Sequence, residues 1–453
     1  MRLAWFSPWP PQKSGIAGRS ADVVPRLAAR GHGIDVFVDE SVVPVRRHDD
    51  TPPAPGQMRV ESAHDFVWRA GRGQYDLAVY QAGNSRLHEF IWPYLLHWPG
   101  LTVLHDARLH HARGRAYLIR RRAEAYRFEF ARNHPEITRD AAELAVRGFD
   151  GAYYYLWPMT ASIVAASRAV AVHTLGGARL LADAHPDRQI TYLPLGEGPH
   201  TLVDDDARAA VRQELGVEPG APLVGVFGAL TAERRVPQVL AAFRSTCAHD
   251  ARARLLLAGR PDPALGLPAL VQALGLEAAV IWRDRLDDAE FDLAIAASDV
   301  VVNLRWPTAM ETSGPWLRAM AAARATVVID LPHQAHLPAL DPRTWRPWTG
   351  GDRRDPVTVA IDILDEDHSL RLALRRLAED AHLRVALGTA ARAYWETEHT
   401  IERMVDGYED VLARAVTQPM PPRPAPPPDE ARLLHAAASI LTPFGPDVSC
   451  ELS

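Results

Sequence analysis

The sequence predicts two doubly wound α/β domains in tandem, and three observations carry that expectation. Short apolar runs alternate with amphipathic helical patterns through the first 200 residues. The alternation restarts near residue 223 and runs to about 399. The length, 453 residues, exceeds one ordinary core but suits two domains of about 150–200 residues each with extras. Alternation of this kind favours parallel sheets covered by helices on both faces.

In chain order, residues 3–6 form an apolar strand pattern and 7–16 a breaker-rich loop. Residues 21–30 are amphipathic and stop at Gly31 and Gly33, and 34–38 read as the next strand, completing a βαβ unit. Residues 77–80 and 101–104 are further strands. The stretch 110–158 is helical in pattern and rich in Arg, Glu and aromatics. Strands resume at 169–172 and 190–193, and 195–200 with Asp204, Asp205 and Asp206 reads as a hinge. The second pattern places strands at 223–227, 254–257, 279–282, 300–302 and 326–329. A long helix is expected over 400–416 with Thr400 as its N-cap. Residues 419–428 read as a stiff Pro-rich linker, leading to a short tail helix over 429–441. The expected organisation is therefore an N-terminal domain (1–200), a second domain (201–399), a crossover helix (400–416) and a tail (417–453).

Composition narrows the function classes. Apolar residues make up 47% and charged residues 23%, the balance of a globular protein. A formal net charge of −6 argues against general nucleic-acid binding. Two cysteines, Cys247 and Cys450, offer neither a metal spacing nor a disulfide framework. No signal peptide or membrane span is evident, so a cytoplasmic protein is expected.

Candidate chemistry gathers at the carboxyl ends of strands, where open α/β sheets bind ligands. Gly15 precedes the first helix, either as a plain turn glycine or as a site of close approach to a phosphate or sugar. Asn84 follows the strand 77–80. His105 and Asp106 follow 101–104, either as ligands for hydroxyls or, for Asp106 and Asn84, as helix caps. Arg234 and Arg235 stand at a helix start after 223–227, where arginine can pair with a diphosphate or simply face solvent. The strongest candidate is Glu311 in the turn after 300–302. Its carboxylate can accept from sugar hydroxyls while Thr312, Ser313 and Gly314 offer N–H groups to phosphate oxygens. The alternative is an acidic helix start favoured by the dipole. Two domains facing a cleft, with an acidic turn in the second, suggest a nucleotide-sugar enzyme.

Over roughly residues 1–416 the chain resembles the retaining glycosyltransferases of family 4, which have the GT-B fold. The likeness rests on the first loop with Gly31-His-Gly-Ile-Asp-Val36, on Ala82-Gly-Asn-Ser85 with His88, and on Val103-Leu-His-Asp106 with His110 and His111. It continues through Val172-His-Thr174 and Tyr192-Leu-Pro-Leu-Gly196. Gly228-Ala-Leu-Thr-Ala-Glu-Arg234 looks like the family's diphosphate-gripping element, and Pro307-Thr-Ala-Met-Glu-Thr-Ser-Gly314 like its Glu-rich donor motif. Two positions depart from the pattern. Ala229 stands where the family has a diphosphate arginine, and Ala319, beside Arg318, where it has a second glutamate.

The resemblance implies transfer of a hexose from a nucleotide diphosphate sugar to a hydroxyl acceptor, with retention, no protein nucleophile, no cofactor and no obligatory metal. Glu311 and His105, with Asp106, would be catalytic. Gly15, Arg234, Arg235, Arg305, Thr312, Ser313 and Gly314 would hold the donor, and Asn84 and His88 would face a glycan or lipid-linked acceptor. The Arg-rich stretch 113–127 offers either a peripheral membrane contact at the inner face or a solvated helix face. Lys13 is the only lysine and lies in the first loop, which disfavours a pyridoxal-type phosphorylase. The remaining rival is a non-catalytic scaffold that binds the same ligands without turnover.

Overall fold

The structure is a computed structural model, and it describes residues 1–45, 51–284, 286–348, 355–422 and 432. The tail helix expected over 429–441 and most of the Pro-rich linker fall outside the described residues.

The first half runs β1 (Arg2–Phe6), α1 (Gly15–Ala29), β2 (Gly33–Val38), β3 (Met58–Ser62), α2 (Phe66–Gly71), β4 (Leu77–Ala82), α3 (Ile91–His97) and β5 (Leu101–Leu104). A helical layer follows, with α4 (His110–Leu118), α5 (Ala123–Asn133), α6 (Arg139–Val146) and α7 (Ala161–Ala166). Then come β6 (Ala169–Val172), α8 (Leu175–Ala184) and β7 (Ile190–Tyr192). These strands form one parallel sheet in the order β3-β2-β1-β4-β5-β6-β7. Its central strands are buried and mostly apolar because helices cover both faces. All six residues of β2 are buried, for example.

The second half runs α9 (Asp205–Glu214), β8 (Leu223–Phe227), α10 (Val236–His249), β9 (Arg254–Ala258), α11 (Leu267–Ala273), β10 (Val280–Arg283), α12 (Asp288–Ala297), β11 (Val300–Val302), α13 (Gly314–Ala321) and β12 (Ala325–Ile329). It closes with β13 (Ala339–Asp341), β14 (Arg346–Pro347), β15 (Thr358–Ile361), α14 (Glu366–Glu379), α15 (Ala381–Glu398) and α16 (Ile401–Ala415). The order is β10-β9-β8-β11-β12-β15-β13-β14, antiparallel only at β13–β14. Each sheet reverses its order near its middle, between β1 and β4 and between β8 and β11. Those two switch points are where such sheets open a crevice.

Several sequence expectations are corrected. The first helix starts at Gly15 rather than near residue 21, because the Ser14 side chain accepts from the Ala17 N–H and caps it. The acidic triplet 204–206 is not hinge: the Asp204 side chain accepts from the Ala207 N–H and starts α9. Strand β3 stands outside the sequence expectations, and Arg59 and Glu61 lie within it. They enter a buried ionic cluster in which Asp35 takes Arg59 at 3.0 Å, Arg69 at 3.2 Å and the Tyr75 hydroxyl at 2.7 Å. In the stretch 113–127, Arg113 is buried against Glu129 at 2.8 Å and lies over the Trp92 ring, and Arg127 pairs with Glu124 and Glu143.

The connection between the halves is tightly held. Gly196 lies so close to α16 that a Cβ would stand 2.5 Å from the Thr400 carbonyl oxygen. The next N–H, of Glu197, donates to the His399 carbonyl at 2.9 Å. Helix α16, capped by Thr400 as expected, returns to the first sheet, where Tyr408 meets Trp5 with ring centroids 5.2 Å apart. A second junction lies at α8. A Cβ on Gly176 would sit 2.5 Å from both the His333 Cα and the Pro332 carbonyl oxygen.

Gly176→Ala is predicted to wedge this junction apart. Overpacking of this kind costs about 1–3 kcal/mol. Small-angle scattering is expected to show a larger radius of gyration, with secondary structure unchanged by circular dichroism.

Candidate active site

The two switch points face each other across a cavity of about 740 Å³. The second domain contributes the turn between β11 and α13. The Thr308 hydroxyl caps this turn twice over, accepting from the Met310 N–H and donating to Glu311 Oε2, both at 2.9 Å. Arg305 Nη1 stands 3.3 Å from Glu311 Oε1. Burial raises the Glu311 pKa, but Arg305, a backbone N–H and Thr308 outweigh it and hold the carboxyl below its ordinary value. Glu311 is therefore ionised at neutral pH in a largely dry place. Thr312 and Gly314 line the cavity, while Ser313 is buried and donates to Asn303 Oδ1 at 2.8 Å.

Arg234 and Arg235 part company. Arg234 is buried beneath the turn and donates to the same Asn303 oxygen at 3.0 Å. Burial, with Arg305 nearby, pushes its pKa down to about 9, so it stays charged at neutral pH. Arg235 takes a left-handed backbone, φ 56°, and its guanidinium is tied to Glu366 of α14, with Nε to Oε1 at 2.8 Å. Neither arginine lines the cleft. That corrects the expectation that both arginines face the same ligand.

On the first-domain side, Gly15 opens α1 beside Ser14, and both line the cleft. Asn84 is a bracket. Its Oδ1 accepts from the Ala112 N–H at 2.9 Å, its own N–H donates to Asp106 Oδ2 at 2.7 Å, and its Nδ2 lies 3.3 Å from His111 Nδ1. The capping alternative thus describes Asn84 well, and Asp106 is held by a backbone N–H of the same bracket. Burial, and then the nearby Glu311 carboxylate, push the Asp106 pKa up to about 7.

Besides His111, three imidazoles line this wall: His88, His105 and His173. His88 Nδ1 donates to the Gln81 carbonyl at 2.8 Å, His105 Nε2 to Gln81 Oε1 at 2.8 Å, and His173 Nδ1 to the Leu193 carbonyl at 2.9 Å. Burial holds all three pKa values down, to about 4 for His88 and His173 and well below the ordinary value for His105. Each ring is thus neutral, with one nitrogen committed and the other left as an acceptor. His173 Nε2 is buried without a partner.

Sequence reasoning missed two cleft residues. Arg19 projects from α1, one turn past Gly15, to within 3.2 Å of where a Gly314 Cβ would stand. Its guanidinium pairs with Glu197 of the connecting strap at 2.8 Å. Arg318, from α13, reaches the same carboxylate at 3.4 Å as well as Asp288 and Asp292. A charged residue one helical turn beyond a loop glycine was the available signal for Arg19. Nothing local marks Glu197, whose partners come from two other elements.

The domains also meet inside the site. The Ala107 N–H donates to the Ala309 carbonyl at 2.9 Å, and the Thr312 hydroxyl to the His173 carbonyl at 3.1 Å. Among the described residues no three His, Cys, Asp or Glu side chains are grouped to hold a metal ion, and no helix is long and apolar enough to cross a membrane.

No family model matches the chain, and no curated protein matches it in sequence. Solved structures do match in fold. HepE of Anabaena in complex with UDP and glucose superposes with a TM-score of 0.58 at 13% identity, covering 91% of this chain and 100% of that one. Sucrose-phosphate synthase from Thermosynechococcus elongatus gives a TM-score of 0.61 at 15% identity over 91% of this chain and 98% of its own. WaaG, a glycosyltransferase involved in lipopolysaccharide biosynthesis, gives 0.54 at 16% identity over 90% and 99%. At these identities the likeness establishes the fold: two doubly wound α/β domains facing a cleft, the GT-B architecture.

The buried histidines set an acid limit on stability. Burial lowers His88, His173, His333 and His399 to about 4 and His110 to about 3. Between these values and the ordinary value of 6.5 the unfolded chain binds more protons than the folded one. Stability is therefore complete above about pH 6.5 and falls as pH drops towards 4, by about 1.4 kcal/mol per pH unit for each such group. Melting temperature is expected to fall steeply over that window, and less steeply in His399→Gln.

Proposed function

We propose that this chain is a retaining glycosyltransferase of the family 4 type, moving a hexose from a nucleoside diphosphate sugar to a hydroxyl acceptor without a metal ion. The observation that carries the reading is an ionised, largely buried Glu311 at the start of α13, opposite three neutral imidazoles across the cleft. Carboxylate and imidazole acceptors suit a ligand rich in hydroxyl donors. The α13 N-terminus, Arg305 and the buried charge of Arg234 suit its diphosphate. In the proposed step the bond from the anomeric carbon to the phosphate oxygen breaks, and a bond to the acceptor oxygen forms on the same face. The acceptor proton passes to the departing diphosphate. Glu311 and His105 hold the sugar, while Arg305 and the N–H groups at the start of α13 meet the charge that develops. The acceptor, a glycan or a lipid-linked sugar, lies against Ser85, His111 and Tyr155. We place the reaction in the cytoplasm or at the inner membrane face.

A non-catalytic scaffold is favoured by one observation. With Ala229 in the loop and Arg235 committed to Glu366, the loop after β8 offers the cleft no exposed arginine.

A thermal-shift screen against UDP-, GDP-, ADP- and dTDP-sugars, starting with UDP-glucose, tests the reading. One nucleotide class is expected to raise the melting temperature without added metal. Glu311→Ala is expected to lower kcat about 10²–10³-fold, in the range seen for lost transition-state contacts. Binding without turnover or hydrolysis in the intact protein would favour the scaffold, and no binding by any donor would overturn both readings.

A further inference from the structure

Gln81, the fifth residue of β4, is only 1% exposed yet makes contacts with both cleft-lining histidines of its neighbourhood. Its main-chain carbonyl takes the His88 Nδ1 proton, and its side-chain oxygen lies 2.8 Å from His105 Nε2. From the other side, the hydroxyl of Tyr408 in α16 donates to the same oxygen at 3.3 Å. Tyr408 is itself 1% exposed and packed on Trp5. A hydrogen-bonded line thus runs from the crossover helix, through the first sheet, to the cleft.

We propose that Gln81, backed by Tyr408, is a positioning residue that fixes His105 as its neutral Nε2–H tautomer and leaves Nδ1 as a hydrogen-bond acceptor for a sugar hydroxyl. An amide oxygen only accepts, so the nitrogen facing it carries the proton, and the neutral ring then has its lone pair on Nδ1. The other groups facing His105 oppose a second proton. His173 lies with its ring centroid 4.6 Å away and His88 stands nearby, so a charge on one ring disfavours a charge on the next, and the Arg19 guanidinium adds a fixed positive charge. Asp106 follows in the chain but is held by the Asn84 N–H. Burial of the ring acts in the same direction. The hydroxyl role rests on the transferase reading. The tautomer does not, because it belongs to the protein without substrate.

Long-range proton–nitrogen correlation spectra of the full chain test the tautomer directly. In the wild type His105 is expected to show a protonated Nε2 and a bare Nδ1, unchanged from pH 6 to 9. In Gln81→Glu a carboxylate partner stabilises the imidazolium, so His105 is expected to titrate near neutrality. The kcat profile of that variant then gains an acid limb, with about a tenfold loss at pH 6 that recovers at high pH, the scale of one hydrogen bond. Tyr408→Phe is expected to mix the two tautomers while His105 remains neutral, and it serves as the second variant if Gln81→Glu does not fold. A protonated Nδ1 in the wild type, or a Gln81→Glu protein whose His105 spectrum does not change with pH, would overturn the assignment. Should the protein show the expected tautomer but no sugar transfer, the positioning role of Gln81 stands and the transferase reading fails.

Discussion

Two hydrogen bonds across the cleft, from the Ala107 N–H to the Ala309 carbonyl and from the Thr312 hydroxyl to the His173 carbonyl, decide what the site is. Each joins a loop at the carboxyl edge of one sheet to its counterpart on the other. They place Glu311 opposite the imidazoles and bring its charge close enough to Asp106 to raise that pKa. The close approaches at Gly176 and Gly196 serve the same geometry, since neither junction has room for a Cβ. Side chains from two domains that are to meet one ligand need such registration, because misplacement by about 1 Å can cost a hundredfold in the rate of a reaction.

Burial then sets the charges in the cleft. Removing water pushes His88, His105 and His173 to the neutral state and turns them into acceptors. The same desolvation would neutralise Glu311 were it not for Arg305, Thr308 and a backbone N–H. The outcome is one carboxylate that keeps its charge beside one, Asp106, that titrates near pH 7. Environments that push like groups apart in this way mark sites of chemistry more often than sites of mere packing, although structural ion pairs do it too. The Arg19–Glu197–Arg318 group ties the strap to both domains at the rim of the same cavity.

The sequence carried the fold further than it carried the site. Central strands such as β2 and β8 are legible because burial on both faces calls for mostly apolar residues, with Asp35 the exception in β2. The edge strand β3 is not, since its charges are satisfied by Asp35 and Arg69, partners distant in sequence. Strand-end position located Glu311, His105, Asp106 and Asn84, the family resemblance added His88, and all five line the cleft. Position could not say where a side chain points. Arg235, with a left-handed backbone, pairs with Glu366 instead, and Asn84 spends its amide on α4 and His111. Arg19 and Glu197 emerge only when three elements assemble, and Gln81 matters through Tyr408, far along the chain.

The proposed function requires this cleft to transfer a sugar with retention. Its most direct test is nuclear magnetic resonance of the intact protein with a bound nucleotide sugar and a hydroxyl acceptor, following phosphorus and anomeric protons together. Release of a nucleoside diphosphate is expected together with a new glycosidic proton of the same anomeric configuration as the donor, undiminished by a chelator. An inverted product, dependence on added metal, or a donor that binds and stays intact would contradict it.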